Sequence, residues 1–140
     1  MFYPDDRNAL RQMYLEAWRR SRAGLPMEPV QTSIAMVVAE HPEYHELLES
    51  EHSMDRDWTP DDGVANPFLH MGMHLAIREQ VGTNRPPGIA TIHNTLSNKL
   101  GSHHEAEHLM MESLGEVLWR AQRDGVLPDD AVYLENLKRL

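Results

Sequence analysis

Apolar residues recur along the chain at spacings of three and four, and the strict apolar–polar alternation of a half-buried strand is missing. The pattern predicts helices almost throughout. A first helix capped by Asp5 or Asp6 runs to about Ala23, with Leu10, Met13, Tyr14, Ala17 and Trp18 on one stripe and Gly24 beyond its end. A second spans about Pro29 to Glu40 and carries Val30, Ile34, Val37 and Val38. Pro42 breaks it or opens a short third helix to Ser50. Residues 51 to 65 mix charges with Pro and Gly and read as an ordered loop pinned by Trp58. Asn66 then caps a fourth helix with Leu69, Met73, Ile77 and Val81 as its stripe, ended by Gly82. Ile89 to Leu100 forms a fifth. Ser102 opens a sixth with Glu105 three residues on, a capping box, and this helix reaches about Asp124. The last, about Asp129 to Leu140, packs through Val132, Leu134 and Leu137. The expected fold is all-α, a single-domain helical bundle of about six to seven helices over residues 1–140.

Length and composition agree with that reading. A chain of 140 residues with 41% hydrophobic and 25% charged positions is long enough to bury one core and has ordinary globular proportions. No apolar run approaches the roughly 20 residues of a membrane helix, and MFYPDDRNALRQ lacks an apolar signal core, so no membrane association and a cytoplasmic address are expected. With a formal net charge of -9, the short Arg19, Arg20, Arg22 cluster is a solvated helix end, and no nucleic-acid partner is expected. The absence of cysteine removes thiolate metal sites and a cysteine nucleophile.

Histidine changes the picture. There are nine, and three pairs lie four residues apart: His41 and His45, His70 and His74, His104 and His108. Random placement would give roughly half such a pair. On helical wheels His74 lies at about 40° from His70, with Ile77 and Val81 close by, and His108 at about 40° from His104, with Met111, Leu118 and Trp119 in the same arc. Short turns between the fourth, fifth and sixth helices would run them up, down and up, bringing both pairs to one end of the bundle. His70, His74, His104 and His108 are therefore candidate ligands of a divalent transition metal, zinc or iron, with Glu107 and His45 as further candidates. His104, Glu105 and His108 also spell HExxH, although no strand is expected to align a peptide beside it. If the site is catalytic, metal-activated water is the economical mechanism, with Glu105 or Glu112 moving its proton in hydrolysis of a small-molecule substrate. The alternative is a non-catalytic structural or interaction protein, engaging a protein partner or a second copy, whose histidines are core hydrogen-bonders.

The strings HPEYHELL, DRDWTPDDG, NPFLHMGMHLAIREQ, PPGI, HHEAEHLMMESLGEVLWRAQRDG and YLENLKRL carry a resemblance covering nearly the whole chain. It resembles a family of small proteobacterial proteins called domain of unknown function 1841. The resemblance implies a cytosolic bacterial protein and brings no reaction, substrate or site residue with it. A looser similarity, to hemerythrin-like helical bundles with histidine-lined metal sites, concerns architecture and residue types only.

Overall fold

The computed structural model describes residues 7–50, 58 and 66–140. Seven α-helices and one short 3-10 turn account for most of these residues, and no strand occurs among them. The helices are α1 (Arg7–Ala23), α2 (Pro29–Ala39), α3 (His45–Leu48), α4 (Pro67–Thr83), α5 (Ile89–Leu100), α6 (His103–Asp124) and α7 (Asp130–Lys138). The 3-10 turn, Pro42–Tyr44, replaces the first half of the third helix expected over 42–50. The chain divides into two compact units, Met1–Leu75 and Ala76–Leu140, and the division falls within α4. The expected caps at Asp5 or Asp6 and the loop over 51–65, Trp58 excepted, lie outside the described residues. No helix among the described residues is long and apolar enough to cross a membrane.

The first unit is organised around α1 and α2. Tyr14 and Ala17 from α1, Ile34, Val37 and Val38 from α2, Leu48 from α3, and Phe68 and Met71 from α4 make one buried cluster. Tyr14 meets Phe68 edge-on, with ring centres 5.5 Å apart. Burial pushes the Tyr14 phenol up to about 12, because the charged phenolate is poorly solvated there. Trp58 packs against this cluster, as the sequence suggests. Its ring and that of Phe68 both lie 5.0 Å from the guanidinium carbon of the buried Arg11, a cation–π arrangement that fixes the indole.

The second unit holds the C-terminal part of α4 with α5, α6 and α7. Helix ends here follow their sequence signals closely. Gly101 ends α5 at φ 72°, a left-handed conformation that glycine adopts without Cβ strain. Ser102 Oγ accepts the Glu105 N–H at 3.2 Å, which caps α6. Only that half of the expected capping box forms, because the Ser102 N–H donates to Ser97 O at 3.1 Å and thereby closes the end of α5. Asp129 caps α7 by accepting from Ala131 and Val132. Tyr133, buried, donates its hydroxyl to Gln80 Oε1 at 2.8 Å and joins α7 to α4.

The buried arcs differ from the expected stripes on several helices. On α4 the buried positions are Pro67, Phe68, Met71, His74 and Ile77, and Leu69 is 66% exposed. On α6 the buried arc is Ala106, Glu107, Met110, Ser113, Leu114, Val117 and Ala121. Leu118 and Trp119 point outward, the indole lying under the Arg123 guanidinium at 4.9 Å. On α1, Leu10 is exposed, on α2 Val30 is exposed, and on α7 Val132 is exposed while Tyr133 packs inward.

Candidate metal centre

In the first unit the chain turns sharply after α2, where His41 precedes Pro42. The proline disfavours helical backbone at the residue before it, and His41 leaves the helix at φ -124°, ψ 67°. Its side chain returns over the last turn of α2. His41 Nδ1 lies 2.7 Å from Val37 O, and the ring is fully buried. A carbonyl oxygen only accepts, so Nδ1 carries a proton and donates it to Val37 O. The Nε2 atom is shielded from water.

His74, fully buried on α4, faces it. The ring centres of His41 and His74 are 4.8 Å apart, and one ring nitrogen of each lies within 4.8 Å of the other. His70, one turn earlier and half-buried, stands edge-on to both, at 5.1 Å from His41 and 5.0 Å from His74. Tyr44 stacks parallel to the His41 ring at 5.4 Å, and burial, with the Glu43 charge adding to it, raises its phenol above the ordinary value. Three imidazoles and a phenol thus share one corner of the first unit.

In the second unit the i,i+4 spacing brings His104 and His108 together on α6, ring centres 4.4 Å apart, with a ring nitrogen of each within 4.8 Å of the other. Both are half-buried, at the edge of the buried arc and not within it, yet Nδ1 of His104 and Nε2 of His108 are shielded from water. Between them in sequence, Glu107 is only 1% exposed, and its two oxygens are engaged separately. Oε1 accepts from Arg78 Nε at 3.0 Å and Oε2 lies 3.0 Å from His93 Nε2. The carboxylate named above as a candidate ligand is thus held by a guanidinium and an imidazole.

The remaining candidates are more dispersed. His45 Nε2 donates to Val38 O at 2.7 Å, and its ring lies against Trp18, 4.3 Å between centres. Glu105 is largely exposed, with Oε1 3.8 Å from His108 Nδ1. Glu112 is exposed. The residue that the sequence reading underweighted is His41. Its signal was present in the HPEYH spacing, but Pro42 hides it, because the proline removes His41 from the helix on which an i,i+4 pair with His45 would be formed.

The fold and these sites define an all-α protein that gathers imidazoles into groups, His41, His70 and His74 in one unit and His104 and His108 in the other. The chain belongs to the family described as Domain of unknown function (DUF1841), whose model matches residues 6–139. No curated protein and no solved structure matches it.

Proposed function

We propose that the protein binds one divalent transition metal ion, zinc or iron, through its grouped histidines, His41 with His74 in the first unit or His104 with His108 in the second. The observation that carries this reading is the juxtaposition of two fully buried imidazoles, His41 and His74, with ring centres 4.8 Å apart, the His41 ring being oriented by the Val37 carbonyl. A backbone carbonyl on the far ring nitrogen is the usual partner of a metal-ligating histidine, since it orients the ring and raises its basicity. Tetrahedral zinc holds nitrogen ligands about 3.3 Å apart, and each pair of ring nitrogens lies within 4.8 Å, close enough for small side-chain adjustments to bring both onto one ion. An all-imidazole donor set suits zinc, iron, copper or nickel better than magnesium or calcium.

A catalytic role follows as the finer part of the proposal. A bound zinc ion would supply water that ionises near neutral pH. Glu105, close to His108, is the better placed of the two carboxylates to hold the proton released in a hydrolytic reaction, and Glu112 lies one turn beyond His108. A second reading is favoured by the bonds from His41 and His45 to the carbonyls of Val37 and Val38: a structural or interaction protein whose histidines complete the core.

Equilibrium dialysis against zinc separates the two. The wild-type chain should retain one ion, and the double variant His74→Ala, His108→Ala should retain none. A double variant that still holds one ion per chain overturns the ligand assignment. No uptake by the wild-type chain favours the structural reading.

A further inference from the structure

In the second unit α5 and α7 leave an open groove between them, lined by no histidine and with a volume of about 340 Å³. That is near the lower end of the roughly 300–1,000 Å³ of small-molecule sites. Leu96 and Leu137, both buried, form its apolar depth, and half-buried Ile92 and Leu140 flank them. Along α5, Thr91, Thr95 and Lys99 follow one another at spacings of four, a polar row beside the apolar row of Ile92 and Leu96. Exposed Lys138 adds a second ammonium from α7.

The charge of this groove runs against that of the chain. The protein carries 22 acidic and 13 basic side chains, yet no carboxylate side chain lines the groove among the described residues, and its polar side chains are hydroxyls and ammoniums. Each ammonium has three donors. Lys99 Nζ donates to Leu140 O at 3.4 Å and Lys138 Nζ to Glu135 Oε1 at 3.4 Å, so donors remain on both. With the Glu135 charge set against Lys138, one net positive charge borders the groove, which a single anionic headgroup matches. Both lysines stand in the last turn of their helices, where a cation offsets the helix dipole, but that role does not require either of them to border an apolar groove.

We infer that the groove between α5 and α7 binds a small aliphatic carboxylate, its hydrocarbon on Leu96 and Leu137 and its headgroup at Lys99, with Thr95 one turn away as a further donor and Lys138 adding to the positive field. A neutral hydrocarbon would leave the ammoniums unused, and an inorganic anion would gain nothing from the leucines. The inference goes beyond the metal-binding reading and is independent of it.

Titration of isotope-labelled protein with octanoate, followed by amide chemical shifts, tests it, with octanol and octylammonium as controls of the same chain length. Octanoate should saturate, with the largest shifts on α5 and α7. Affinity should rise about two-fold per methylene from butanoate to octanoate, since an open groove buries about half of each group. Octanol should bind about five-fold more weakly, the upper end of what one exposed ion pair contributes, and octylammonium more weakly still. Lys99→Glu should lower octanoate affinity about five-fold or more and leave octanol affinity and helicity unchanged. Equal affinity for octanoate and octanol overturns the anionic assignment. Shifts that do not saturate, or that fall away from α5 and α7, overturn the site. If Lys99→Glu loses helicity by circular dichroism, Lys99→Gln decides: a loss of octanoate affinity without a loss of octanol affinity supports the inference, and octanoate affinity equal to the wild type overturns it.

Discussion

Replacing His74 by leucine tests the centre where burial is greatest. The imidazole is fully buried, so leucine occupies a comparable apolar space but offers no ligand atom. Apparent energies of structural zinc sites run at about 10–16 kcal/mol, so one of four ligands is worth ~3 kcal/mol, or about 10²-fold in affinity. Stability translates this into a melting shift. For 140 residues an unfolding entropy of about 2.1 cal/mol/K per residue gives ~0.3 kcal/mol/K, so each kcal/mol moves the melting temperature by about 3 °C. Zinc at about 100 times the wild-type dissociation constant stabilises by ~2.7 kcal/mol, a rise of about 9 °C over the chelated protein. At the same zinc concentration His74→Leu sits near its own dissociation constant and should gain only ~0.4 kcal/mol, about 1 °C. Differential scanning calorimetry in zinc and in chelator reads both shifts. Comparing each protein with itself removes any cost of the substitution in the ion-free state. A His74→Leu variant that gains the full wild-type shift refutes the reasoning, and so does a wild-type chain with no zinc-dependent shift.

Two further outcomes concern the frame around the site. Burial, with the Asp130 charge adding to it, pushes the Tyr133 phenol up to about 12, above its ordinary value near 10, so the folded state favours the neutral form. Its contribution is full below pH 10 and is lost as pH rises toward 12. Urea midpoints should therefore fall between pH 9.5 and about 11.5, and Tyr133→Phe should flatten that fall while costing about 1 kcal/mol at pH 7 through the lost bond to Gln80. Ser102→Ala should cost about 1 kcal/mol, a drop of about 3 °C in melting temperature, because α6 loses its N-terminal acceptor. No change at Ser102 would mean that the first turn of α6 is held by packing alone.

Helix limits were legible because their signals are local. Asn66 Oδ1 accepts from Phe68 and Leu69, Asp129 accepts at the start of α7, and Gly101 and Gly125 take left-handed backbone at the ends of α5 and α6. Facing was less legible. Hydrophobicity places Leu69, Leu118 and Trp119 inward, whereas the structure turns them out and buries Ser113; Glu107, inward on the wheel, is buried as expected. A buried carboxylate is stable only with partners from α4 and α5, and those partners lie 29 and 14 residues away, beyond the reach of a wheel drawn on α6 alone. The same limit hid His41. Its place depends on a proline turn carrying the ring back over Val37, and a spacing rule written for one continuous helix cannot represent that. The histidine pairs on α4 and α6 were visible because each keeps its partner on the same helix.

The most direct measurement is elemental analysis of untagged protein, reported as metal per chain before and after dialysis against chelator. The account predicts about one zinc or iron per chain, removed by chelator and restored stoichiometrically by adding back the ion. Protein that carries no metal and takes up none on reconstitution would contradict it, and would return His41, His74, His104 and His108 to the core as hydrogen-bonding side chains.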